Sequence, residues 1–150
     1  MESWGDTLKE KSKAQIWLEE VFRMDAMIEN KNAEITDWTN KALSITSNMD
    51  GERVQSSGNQ QKMASAIDKV VDLKREANEM IDKLIDHKQE IIKTIEQLKP
   101  IEYDVLHKRY IQGMQFDEIG AVRKKSKSWA TTWHGIALKN LNKILDEKQQ

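Results

Sequence analysis

From Val21 onward, inward-facing positions recur in alternating steps of three and four: Val21, Met24, Ile28, Lys31, Ile35, Trp38, Ala42, Ile45 and Met49. The same rhythm returns at Met63, Ile67, Val70, Lys74, Ala77, Ile81, Leu84, Lys88, Ile91, Ile95 and Leu98. A mean spacing of about 3.5 keeps one stripe against a partner helix, as in a coiled coil. Neither stretch has an internal Gly or Pro, so each predicts a helix of about 35 residues, about 50 Å long. Between them, Asp50-Gly51-Glu52-Arg53-Val54-Gln55-Ser56-Ser57-Gly58-Asn59 collects residues that compete with helical hydrogen bonds, which predicts a loop near 50–60. A short loop between helices of equal length gives an antiparallel hairpin over 14–99. Lys31, Lys74 and Lys88 read as edge residues whose stems lie along the apolar seam. Residues 1–13 are expected to be a flexible, loosely docked start.

Beyond Leu98 the pattern shortens. Pro100 ends the second helix, because it lacks an amide proton and disfavours helical geometry at Lys99. Ile101 to Gln112 reads as a helix with Val105, Leu106 and Tyr110 inward, stopped by Gly113. Phe116 to about Arg123 reads as a brief helix with Asp117 and Glu118 at its positive end. Ser126 is an N-cap candidate for a third helix, Ser128 to Leu145. Its inner positions are Ala130, Trp133 or His134, Ala137, Leu141 and Ile144–Leu145. A helix, a tight turn and a second helix presented outward is the layout of a helix-turn-helix DNA reader over residues 100–150.

Composition narrows the class. The 150 residues hold one Pro, six Gly and no Cys, with 33% charged side chains. That leaves too little turn chemistry for a β-protein and excludes disulfides, thiol nucleophiles and cysteine zinc sites. No apolar run approaches a membrane span, and residues 1–13 lack the apolar core of a secretory leader. The expectation is a soluble, cytoplasmic, all-α protein. Net charge is −1 overall, yet residues 102–145 carry eight basic side chains against four acidic ones. Positive charge segregated in this way favours phosphate contact through counterion release.

Several residues of this C-terminal part resemble region 4 of the sigma-70 factors: Leu98-Lys99-Pro100, Val105-Leu106, Arg109-Tyr110, Gly113, Glu118-Ile119-Gly120, Ser126, Ala137-Leu138 and Leu141. Within that superfamily the chain is similar to the ArpU-like phage transcriptional regulators. Arg53-Val54-Gln55-Ser56-Ser57 and Trp133-His134-Gly135-Ile136-Ala137-Leu138 carry this closer resemblance, which spans roughly residues 20–145. It implies a sequence-specific, double-stranded-DNA-binding regulator of phage or prophage genes, acting in a bacterial cytoplasm at the nucleoid. Region 4 of true sigma factors also touches RNA polymerase, and the resemblance extends to such a contact. Two features depart from the family. Its hydrophobic–glycine–hydrophobic turn is Arg123-Lys124-Lys125 here, and a bulky Trp129 occupies a recognition-helix position.

The expected DNA surface follows from these elements. Lys108, Arg109, Arg123, Lys124, Lys125 and Lys139 would hold the phosphate backbone. Lys127, Ser128, Thr131 and Thr132 would address base edges, Ser126 would cap the helix at the DNA-facing turn, and Trp129 would lie against sugar–phosphate or a partner protein. Trp133 and His134 read as core residues without chemistry. A homodimer is expected, since such a reader gains affinity from two half-sites.

Other classes remain open. A small-terminase-like packaging subunit also joins a helix-turn-helix to an oligomerising helix, and would form rings of eight or more chains. A pure protein-interaction module would show no salt-sensitive DNA binding. An enzyme reading rests on Glu76-Ala77-Asn78-Glu79 with Asp82 and Asp86, carboxylates spaced to hold Mg²⁺ as in all-α pyrophosphatases. Lysines 69, 74, 83 and 88 interleave with them, however, which a salt-bridged solvated face explains. His87, His107 and His134 have no metal-ligand spacing. No enzyme, metal or cofactor is expected.

Overall fold

The structure, a computed structural model, describes residues 10–51 and 57–149. Every regular element in that range is helical: α1 (Lys13–Gly51), α2 (Ser57–Ile95), α3 (Pro100–Leu106), a π-helical turn (His107–Ile111), α4 (Phe116–Val122) and α5 (Lys127–Lys148). None of the described helices is long and apolar enough to cross a membrane. The chain divides into two compact units, one of residues 24–85 and one joining the start of the chain through Arg23 to everything from Asp86 on. The boundaries therefore fall inside the two long helices and not at Pro100.

In the 24–85 unit, α1 and α2 run antiparallel. Lys31 Nζ lies 3.0 Å from Glu76 Oε2, and Thr46 Oγ1 donates to Met63 Sδ at 3.2 Å. Met24, Ile28, Lys31, Ile35, Trp38, Ala42 and Ile45 are half-buried, the stripe that α1's spacing predicts. On α2 the outcome differs. The buried positions are Ala66, Leu73, Ala77 and Leu84, with Met63, Val70 and Met80 half-buried; Ile67 stays 47% exposed, Ile81 37% exposed, and Lys74 faces out. Apolar residues sit side by side at 66/67, 70/71, 80/81 and 84/85, so two stripes one residue apart both fit the heptad rule. The interconnection is also shorter than expected, because helix continues through Gly51 and resumes at Ser57. Only residues 52–56 of the anticipated loop remain, and they lie outside the described residues.

The second unit is built on the outer ends of the long helices. Ala14, Leu18, Val21, Ile91 and Ile95 are fully buried. Ser12 Oγ caps α1 by accepting from Gln15 N at 3.2 Å, and Ala14 N donates to Asn142 Oδ1 of α5 at 2.8 Å. Of the segment expected to be a flexible start, Lys13 already belongs to α1 and Ser12 is its cap; residues 1–9 lie outside the described residues. Pro100 opens α3 where its missing amide proton is harmless, and Tyr103 N reaches back to Lys99 O at 2.9 Å. Val105, Leu106 and Tyr110 are buried, matching their predicted inner face. The anticipated single helix 101–112 changes pitch at His107, where Gln112 N bonds His107 O. Gly113 then takes φ 73° and ends it.

Candidate nucleic-acid interface

α4 closes with two reverse hydrogen bonds. Lys124 N donates to Ala121 O at 3.0 Å, and Lys125 N to Gly120 O at 2.7 Å. This is a Schellman ending, which requires a left-handed residue at the position of Lys124. Lys124 does adopt φ 58°, the only non-glycine residue with positive φ among those described. The ending therefore forms at Arg123-Lys124-Lys125 without a glycine. Close approach is the other requirement of the turn. A Cβ on Gly120 would lie 2.5 Å from Ser126 O and 2.9 Å from Lys125 O, both backbone atoms. Only glycine lets α4 and the start of α5 come this near.

Ser126 is the N-cap of α5, with extended backbone and an Oγ that accepts from Trp129 N at 3.0 Å. Helix thus begins at Lys127, one residue before the expected start. The buried trio Val105, Ile119 and Ala130, packed against by Met114, Phe116, Trp129 and Trp133, ties α5 to α3 and α4. Ala137 and Leu141 extend the buried edge. What α5 turns outward is fixed by this packing: Lys127, Ser128, Thr131, Thr132, Gly135 and Lys139 are exposed, as are Lys124 and Lys125 just before it. No carboxylate occurs between Ile119 and Leu145.

Other expected contact residues are engaged elsewhere. Lys108 Nζ lies 2.5 Å from Asp104 Oδ1, and Arg123 Nε 3.0 Å from Asp104 Oδ2. Oδ2 is buried, and Arg123 meets it as an ion pair. Arg109 is a structural strut: Nη1 donates to Met114 O at 3.1 Å, and the guanidinium lies 5.2 Å from the Phe22 ring and 4.7 Å from the Phe116 ring. Trp129 is half-buried against the core trio rather than presented at the front of the face. The structure therefore brings Lys124, Lys125, Lys127, Ser128, Thr131, Thr132 and Lys139 to one surface, keeps Ser126 as a cap, and holds Lys108, Arg109, Arg123 and Trp129 at its margin or beneath it.

Below this surface lies an uncharged aromatic layer. Tyr110 Oη and His134 Nε2 share a hydrogen bond of 2.8 Å, and the His134 ring meets Phe116 edge-on at 4.8 Å. Burial, reinforced by Arg109 and opposed by Glu19, lowers the His134 imidazole to about 4. Burial likewise pushes the Tyr110 phenol above its ordinary value. Both are neutral at physiological pH and serve packing. The acidic group on α2 is also accounted for, with Glu76 paired to Lys31 and Glu79, Asp82 and Asp86 exposed.

Two residues carry more than the sequence shows. Asp104 anchors two cations, a role that only the fold reveals. Gly135 sits exposed in mid-helix, and apart from its chain neighbours and the helix's own backbone nothing lies within 4 Å of where a Cβ would be. Its helical position was the available signal, since glycine in a helix interior is unfavourable by about 1 kcal/mol unless something requires it. Comparison with family models, curated proteins and solved structures finds no match to this chain.

Proposed function

We propose that this chain is a sequence-specific binder of double-stranded DNA that regulates transcription, on phage or prophage genes as its resemblance implies, through the outer face of α5. One observation carries the reading. Ser128, Thr131, Thr132 and Gly135 form an uncharged window of small residues, framed by Lys124, Lys125 and Lys127 before it and Lys139 and Lys143 after it, with no acidic residue among them. The span from Lys127 to Lys139 is about 18 Å along the axis. That lets both ends reach backbone phosphates while the middle enters a major groove about 12 Å wide. Dimerisation belongs to the same reading: Ile67, Val71, Ile81 and Ile85 leave an exposed apolar stripe on α2, and a dimer would address two half-sites. The proposed work is binding, without catalysis, at the host nucleoid.

Fluorescence anisotropy tests this with duplexes from the DNA flanking the chain's own coding region, at several salt concentrations. One fragment should bind tightly, with affinity falling steeply as salt rises. Replacing Lys124, Lys125 and Lys127 by Ala should reduce the salt slope by about 2–3 without loss of helicity. Uniformly weak binding would refute the reading.

A further inference from the structure

We infer that Thr131 is a specificity-determining residue that reads a thymine through its methyl group; this rests on the DNA-binding reading above. Bidentate recognition of guanine uses Arg or Lys, adenine is read by Asn or Gln, and cytosine by Asp or Glu. Between Lys127 and Leu145, α5 contains no Arg, Gln, Asp or Glu. Its two amides are both engaged inside the protein. Asn140 Nδ2 donates to the buried carboxylate of Glu102 at 2.9 Å, and Asn142 Oδ1 accepts from Ala14 N at 2.8 Å. On the outer face this leaves purine reading to Lys127 and Lys139 at its two ends, with no amide or guanidinium between them.

Thr131 supplies the remaining kind of contact. Its Oγ1 donates to Ser128 O at 3.0 Å, so the hydroxyl proton is committed to the helix itself. The hydroxyl can then only accept, and the methyl is the apolar group this exposed side chain presents. Gly135 follows one turn later on the same face with open space around it. Nothing on that side keeps a base edge away from Thr131. Ile136, 38% exposed on the adjoining strip, extends the apolar character. A thymine C5-methyl is the one apolar group that a base pair presents in the major groove.

The experiment separates this inference from the reading beneath it. The full chain selects duplexes from a random pool, and thymines in the selected site are then replaced singly by deoxyuridine, which pairs identically but lacks the methyl. At one thymine per half-site, uracil should weaken binding about four-fold, the worth of one buried methyl group. Thr131→Ser keeps the hydroxyl bond and removes the methyl. It should bind thymine and uracil equally at that position, while Thr132→Ser keeps the discrimination. If Thr131→Ser still discriminates, or no thymine is sensitive to the exchange, Thr131 is not the reader and site-specific binding stands. If the pool yields no preferred, salt-sensitive duplex, both conclusions fall.

Discussion

Lys124 holds φ at 58° in the turn after α4, a conformation that costs a residue with a Cβ on the order of 1 kcal/mol. Glycine would adopt it freely but would also gain freedom in the unfolded chain. Lys124→Gly should therefore raise unfolding stability by about 0.5 kcal/mol in urea melts while lowering affinity for duplex DNA. Stability lost together with affinity would mean that the lysine stem packs on the fold. His134 sets a second residue-scale response. Its folded value of about 4 lies below the ordinary 6.5. Protonation then favours the unfolded chain. The contribution is complete above pH 6.5 and disappears as pH falls toward 4. Allowing for the partial exposure of the ring, it is worth about 2 kcal/mol. His134→Gln should flatten the decline of melting temperature between about pH 6.5 and 4. An unchanged decline would place the titration elsewhere. At this scale the sequence shows Lys124 as a charge and His134 as an inner position, but neither the left-handed turn nor the field of Arg109 and Glu19, which come from distant segments.

At the scale of elements, the junction of α4 and α5 depends on Gly120. A Cβ there would press into the backbone of Ser126 at 2.5 Å, and backbone cannot rotate aside as a side-chain tip can. Gly120→Ala should destabilise the C-terminal unit by about 2–4 kcal/mol in thermal or urea unfolding. Gly135→Ala, with nothing near, should instead stabilise by about 0.5–1 kcal/mol. These short elements were legible because their punctuation is unambiguous: Pro100 opens α3, Gly113 ends the π turn and Ser126 caps α5. The register of α2 was not. Its apolar residues form adjacent stripes, and periodicity alone gives no reason to bury Leu73 rather than Lys74, or Ala66 rather than Ile67. The stripe that is buried alternates small and large residues, Ala66, Leu73, Ala77 and Leu84, and Ile67 and Ile81 are left outside. Leu73→Ala should accordingly cost about 2–4 kcal/mol, and Ile67→Ala under about 1 kcal/mol in the monomeric state. Reversed magnitudes would restore the register expected from spacing.

Over the whole molecule, division into units cuts across chain order. The 24–85 unit has eleven acidic and eight basic side chains, and the rest of the chain fourteen and sixteen, so the sign of net charge follows the structural division. The proposed DNA surface belongs to a unit whose core is assembled from both ends of the chain. Phe22 stacks on Tyr110 at 5.3 Å, Lys148 Nζ reaches Thr94 Oγ1 at 3.2 Å, and His87 Nε2 lies 2.8 Å from the carbonyl of Trp17. These contacts join sequence segments that periodicity assigns to a separate hairpin, and no local pattern announces them. Their consequence is testable by two truncations. Residues 100–150 alone lack Leu18, Val21, Ile91 and Ile95, all buried, and expose the apolar surface those residues cover. At about 50 residues such a fragment has little core to lose. It should show weak helicity and no cooperative melt by circular dichroism. Replacing 24–85 by a short Gly-containing turn keeps both outer segments, which already lie side by side at Trp17 and His87. That shorter chain should melt cooperatively and show the same acid response of His134 as the full protein. If it instead unfolds like the 100–150 fragment, the 24–85 unit is required to hold the outer helix ends together, and the core of the DNA-facing unit is not self-sufficient.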